Sequence, residues 1–165
     1  MLRENLEAFT WIYKEMKGLH PSMCTHHIYI KEGCKSVRQP KRSMNPALKD
    51  MVKEELQKLL DAGFIYPISD SEWVSPLVLV PKKNGKWRIC VDYRELNKAT
   101  KKDHFPLPFI DQVLDGLAGK KFFSFLDGFS EYNQIQICQE DRDKTTLTCP
   151  WGTFAYFSMG RRETS

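Results

Sequence analysis

The sequence predicts an α+β fold with an antiparallel or mixed sheet. Three observations carry that expectation: an amphipathic helix at 46–62, two β-rich runs flanking Asn84-Gly85, and a second helix followed by several short strands. Helix and strand do not alternate regularly, which argues against a doubly wound parallel sheet.

The helix at 46–62 is the clearest element. Asn45 is a good N-cap, and Pro46 suits the first helical position, where its missing N–H is no loss. Leu48, Met51, Val52, Leu56, Leu59 and Leu60 form one apolar stripe, which reads as core packing rather than a cofactor site. Gly63 fits the C-terminal stop. Upstream, Leu6, Phe9, Ile12, Tyr13 and Met16 recur at helical spacing, and the stretch with Gly18, Pro21, Gly33 and Pro40 reads as extended connector. Downstream, 74–80 and 87–93 are rich in β-formers around Asn84-Gly85, a strong hairpin signal. A second helix, about 109–118, carries Ile110, Val113, Leu114 and Leu117 and ends at Gly119. Residues 120–128 read as a buried strand running into a turn, and 133–137, 145–149 and 153–159 as further short strands.

With 165 residues, 41% hydrophobic and 28% charged, the composition excludes a disordered chain. No apolar run approaches the roughly 20 residues of a membrane helix, so no membrane partner is expected. The first residues, with early acids and no apolar core, do not form a secretory signal. Five cysteines at wide spacings suggest reduced thiols in an intracellular protein, cytoplasmic or nuclear and not secreted.

Charge is localised. Residues 79–104 hold eight Lys or Arg (Lys82, Lys83, Lys86, Arg88, Arg94, Lys98, Lys101, Lys102) against Asp92, Glu95 and Asp103, a net +5 in a chain of +4. Such a stretch is either a footprint for phosphates or a solvated charged face. Asp127 follows the apolar run Phe122–Leu126 and precedes Gly128. A carboxylate at the end of a buried strand calls for a partner or a metal. Asp127 could offer Mg²⁺ its carboxylate and Gly128 a backbone carbonyl; the alternative is an ordinary Asp-Gly turn. Adjacent His26 and His27 have no Cys or His near them at zinc spacing, so no zinc site is expected there. Neither a phosphate-binding Gly-rich loop nor an aspartic-protease Asp-Ser/Thr-Gly is present.

Together the blocks VSPLVLVPKKNGKWRICVDYRELNKAT, DHFPLPFIDQVLDGLAG and FFSFLDGFSEYNQIQICQEDRDKTTLTCPWGTFAY closely resemble the reverse transcriptase of Ty3/gypsy-type long-terminal-repeat retrotransposons. They look most like the forms abundant in plant genomes, and the resemblance covers roughly residues 20–159. It implies the fingers and the start of the palm of a right-hand polymerase, which is an RNA-directed DNA polymerase using Mg²⁺, deoxynucleoside triphosphates and an RNA or DNA template–primer. By that resemblance Asp127 is the first catalytic, metal-binding aspartate, with Gly128 beside it. Tyr132 lies under the incoming sugar, where a flat ring would clash with a ribose 2′-hydroxyl. Lys82 (or Lys83) and Arg88 hold the triphosphate. Lys86, Trp87 and Arg94 would face nucleic acid, while Trp87, Tyr93 and Asn97 also support the fold.

The sequence departs from the family in three respects. The family draws its other metal-binding carboxylates from a Tyr-x-Asp-Asp hairpin, and no such motif occurs in these residues. After Met159 the expected Pro-Phe-Gly-Leu is replaced by Gly160-Arg161-Arg162-Glu163-Thr164-Ser165, as a frameshift, altered splice or truncation would produce. Glu131 stands where the family commonly has Gly, in a stretch whose backbone passes close to the triphosphate. The expected organisation is therefore an N-terminal helix and connector (1–44), incomplete fingers and palm (45–159) and a non-family tail (160–165). The expected activity is none for this chain alone. The alternatives are a residual nucleic-acid-binding module or a non-functional product of a decayed element.

Overall fold

The computed structural model of the chain describes residues 18–81, 85, 87–102, 109–123 and 131–158, with the side chains of 131 and 132 left aside. The helix expected at 6–16 lies outside these residues.

Asn45 begins the first helix as its residue type suggests. Its side-chain oxygen accepts from the Ala47 amide at 3.0 Å, and a 3₁₀ turn, Pro46–Leu48, leads into α1, Lys49–Asp61. Val52 and Leu56 are buried at the centre of the apolar stripe, while Met51, Leu59 and Leu60 pack at its margin. Gly63, at φ +73°, turns the chain, and the Phe64 amide then donates back to the Leu59 carbonyl at 3.0 Å.

The strands are β1 (Thr25–His26), β2 (Ile65–Pro67), β3 (Ser75–Pro81), β4 (Trp87–Val91), β5 (Gln136–Ile137), β6 (Leu147–Cys149) and β7 (Gly152–Tyr156). Five of them form a mixed sheet in the order β2-β7-β6-β3-β4. The hairpin β3–β4 is antiparallel, with Leu77 opposite Val91 at its base and Pro81 opposite Trp87 at its tip. The pairing of β3 with β6 is parallel, Ser75 against Leu147. Antiparallel pairs β6–β7 and β7–β2 complete the sheet. Val52, Leu56, Ile65, Trp73, Leu77, Val91, Leu147 and Tyr156 join in one core. Arg142 closes one margin, its guanidinium 4.1 Å from the Phe157 ring centre.

The connector is extended, as expected, and docked. β1 pairs in parallel with β5. Ile30 bridges Thr100, and Arg38 bridges Val74. Ile28 is 1% exposed, so this stretch contributes a core residue.

Three expectations need correction. A short helix, α2 (Arg94–Ala99), follows β4 where no element was expected. The strand expected at 133–137 is mostly a 3₁₀ turn, Glu131–Gln134, before the two-residue β5. The buried strand expected at 120–128 is not found over its described part: Phe122 is 92% and Phe123 50% exposed, without a ladder partner among the described residues. A strand needs a neighbour to satisfy its backbone, and apolar content alone does not supply one. The second helix, α3 (Ile110–Leu117), forms as expected and ends beside Gly119 at φ +79°. Its apolar residues Ile110, Val113, Leu114 and Leu117 are exposed. Among the described residues no helix is long and apolar enough to cross a membrane.

Candidate nucleic-acid interface

The basic window divides between the hairpin and the turn after it. Strand alternation places Arg88 on the face of β4 shared with Cys90, and Trp87 on the face shared with Ile89 and Val91. Arg88, opposite Val80, is half-buried, whereas Trp87 at the tip is 43% exposed. Lys82, Lys83 and Lys86 lie outside the described residues. Asp127 and Gly128 lie outside them too. Tyr132 is placed by its backbone alone, in the turn Glu131–Gln134. Of the residues the resemblance assigns to the triphosphate, metal or nucleic acid, Arg88, Trp87 and Arg94 are placed with their side chains.

Arg94 belongs to a charged cluster that sequence reasoning missed. The Asp92 amide donates to the Pro76 carbonyl at 3.0 Å, which fixes Asp92 just beyond the base of the hairpin. Its carboxylate is buried and accepts from Arg94 Nε and Nη2, both at 2.7 Å, and from Arg42 Nη2 at 2.6 Å. Two half-exposed or exposed guanidiniums thus share one carboxylate, which leaves a net positive patch anchored at its base. Hydrogen bonding to Arg94 is the main reason the Asp92 carboxyl lies below its ordinary value; burial opposes this, and the charges of Arg94 and Arg42 add to it. The Asp-x-Arg spacing of Asp92 and Arg94 was a usable signal. Arg42, fifty residues upstream of Asp92, left none.

Tyr93 is structural, as expected. It is buried, and its hydroxyl donates to the Thr145 carbonyl at 2.7 Å, tying α2 to the segment that leads into β6.

This framework, a hairpin on a mixed sheet with α1 sharing its core, has the fold of part of the foamy virus protease–reverse transcriptase. The prototype foamy virus protease–reverse transcriptase superposes with a TM-score of 0.78 at 21% identity, over 97% of this chain and 21% of that one. The foamy viral protease–reverse transcriptase dRH, solved in complex with double-stranded DNA, matches with a TM-score of 0.65 at 20% identity, over 83% of this chain and 23% of that one. The sequence profile of the family described as reverse transcriptase (RNA-dependent DNA polymerase) matches residues 80–164. The chain belongs to that family. Among curated proteins it is 40% identical over 111 residues to the retrovirus-related Pol polyprotein from transposon 412 of Drosophila melanogaster. It is 35% identical over 159 residues to the transposon Tf2-3 polyprotein of Schizosaccharomyces pombe. These matches cover 64% and 90% of this chain but only 9% and 12% of the polyproteins.

Proposed function

We propose that these residues are the fingers and the first part of the palm of a retrotransposon RNA-directed DNA polymerase. On its own, the 165-residue chain binds template–primer nucleic acid electrostatically and does not extend it. The observation that carries this reading is the Asp92 cluster beside the basic hairpin. Arg42 and Arg94 are oriented by a buried carboxylate, and their guanidinium side chains are 50% and 72% exposed, a setting that suits phosphate oxygens.

The remaining roles follow from family membership. Lys82 or Lys83, with Arg88, would hold the triphosphate. Lys86, Trp87 and Arg94 would face the template, and Tyr132 would exclude a ribose 2′-hydroxyl. Asp127 and the Gly128 carbonyl would offer Mg²⁺ part of its coordination. Two-metal phosphoryl transfer needs several carboxylates around ions roughly 4 Å apart. The 165 residues contain no Tyr-x-Asp-Asp to join Asp127, so no catalytic step is assigned to this chain.

Two measurements test the proposal. Pure chain with Mg²⁺, deoxynucleotides and a primed template should give no extension; templated extension would overturn the inactive reading. Fluorescence anisotropy with a primed duplex should show affinity falling steeply with salt, with a log–log slope of about 0.9 per neutralised phosphate. Arg94→Ala should reduce that slope by about one. Salt-insensitive binding, or none at low salt, would remove the nucleic-acid reading.

A further inference from the structure

Away from the hairpin, the fold assembles a cluster that local sequence spacing does not announce. Parallel pairing of β1 with β5 sets His26 opposite Ile137, and the Cys138 amide donates to the His26 carbonyl at 2.9 Å. His27 and Cys138 are therefore the next residues out from one ladder. Cys138 also opens the 3₁₀ turn Gln139–Asp141, and the Asp141 amide donates back to the Cys138 carbonyl at 2.9 Å. That turn returns Asp141 to the side of the ladder where His27 stands. A ring nitrogen of His27, the Cys138 thiol and a carboxylate oxygen of Asp141 all lie within 4.8 Å of one another. Among the described residues no other three such side chains gather in this way.

We propose that His27, Cys138 and Asp141 form a three-ligand site for a borderline-soft divalent transition ion, with Zn²⁺ the natural occupant. The inference is independent of the polymerase reading.

The donor set decides the class of ion. Imidazole nitrogen and thiolate sulfur suit Zn²⁺ and its neighbours, whereas Mg²⁺ and Ca²⁺ seek oxygen alone. Zinc bonds of about 2.0–2.3 Å set ligand separations of roughly 3.3–3.8 Å in a tetrahedron. His27 Nδ1 already stands 3.6 Å from Asp141 Oδ2. The Cys138 thiol, within 4.8 Å of both, has the two remaining edges to close. Its proton leaves to solvent as the sulfur–metal bond forms.

The surroundings hold the ligands in place. His27 Nε2 is within hydrogen-bonding distance of Thr25 Oγ1 at 3.3 Å, and the ring stacks on Tyr29 at 5.5 Å between centres. Together these turn Nδ1 towards Asp141, a common support for a metal-bound imidazole. Asp141 Oδ2 accepts from the Ile28 amide at 3.0 Å, and a carboxylate oxygen with one such bond keeps a second lone pair for an ion. Lys144 is the resident competitor. Its ammonium bonds Asp141 Oδ1 and the Ile28 carbonyl, the latter at 3.2 Å. It thereby occupies the far oxygen and leaves Oδ2 facing His27. Three protein ligands leave the fourth tetrahedral position to water, reached past the part-exposed His27.

The test uses the 165-residue chain, reduced and free of chelator. Titration with Co²⁺ should give a thiolate charge-transfer band that saturates at one equivalent and is bleached by Zn²⁺. Cys138→Ser should abolish the band, His27→Gln should weaken binding tenfold or more, and Cys34→Ser, at an exposed thiol outside the cluster, should leave it unchanged. Zn²⁺ should also slow alkylation of Cys138, read by peptide mass spectrometry in the unmodified sequence, while Cys34 reacts at its original rate. Absence of the band, its persistence in Cys138→Ser, or equal alkylation of Cys138 with and without Zn²⁺ would each overturn the proposal.

Discussion

Asp141 accepts a hydrogen bond from the backbone amide of Ile28 at 3.0 Å, joining residues 113 positions apart. The same carboxylate pairs with Lys144, whose ammonium reaches the Ile28 carbonyl. Both backbone groups of Ile28 are thus satisfied by one ion pair, while its side chain, 1% exposed, enters the core. The connector is held by this pair as well as by strand pairing.

Asp141→Ala should therefore destabilise the chain by about 3 kcal/mol, because it leaves a part-buried ammonium and a buried amide without their partner. Lys144→Met should also destabilise. The double variant should cost less than the sum, with a coupling of about 1–3 kcal/mol in a urea-denaturation cycle. Strict additivity would show that the two groups act separately.

Acid should act through Asp92. Its carboxyl lies below the ordinary value of 3.8, chiefly through hydrogen bonding to Arg94. A depressed carboxyl contributes stability that is complete above about pH 4 and is lost as pH falls through its folded value. Asp92→Asn should flatten that acid limb and cost about 2 kcal/mol at neutral pH. The comparison is thermal unfolding between pH 2 and 7, roughly the span of carboxyl titration.

Base should act through Tyr156. The phenol is buried and pushed up to about 12, first by burial and second by Cys90. A raised acid stabilises the fold below its unfolded value near 10, and that contribution disappears as pH rises from about 10 to 12. The loss is roughly 2–3 kcal/mol, and the difference between the original sequence and Tyr156→Phe across that window isolates it.

Leu147, 1% exposed, sits where β6 meets both β3 and β7. Leu147→Ala should cost about 3–5 kcal/mol in equilibrium unfolding, since strands fixed on both sides cannot collapse into the cavity. On α3 the reverse holds. Leu114 is 57% exposed, so Leu114→Lys should change stability by less than about 0.5 kcal/mol while lowering binding of an apolar dye.

Local signals made part of the fold legible. Asn45, the stripe from Leu48 to Leu60 and Gly63 each act within a few residues, and α1 formed between the expected limits. The hairpin was equally readable, because β-rich runs around Asn-Gly specify their own partner. α2 escaped because six residues are too short to display a period. Phe122 and Phe123 misled because apolar runs suggest burial without saying against what. At the candidate interface, the basic window was visible as composition, but Asp92 as its organiser was not, since Arg42 reaches it through the fold. Cys138 and Asp141 approach His27 through a strand pairing that no spacing near His27 could reveal. The family relationship was legible for a different reason: several ordered blocks match at once.

The parallel pairing of Ser75 with Leu147 also bears on how the chain is made. β3 and β4 can close as soon as both leave the ribosome, but β6, which joins them to β7 and β2, begins only at Leu147, beyond the whole of 92–146. At about 5–20 residues per second that is a wait of several seconds. During it, Leu77 and Val91 lack the later core partners Leu147 and Tyr156, and the edge of β3 that will face β6 carries unpaired backbone groups. Translation speed across residues 92–147 thus sets how long a nascent chain displays a strand edge able to pair with another copy.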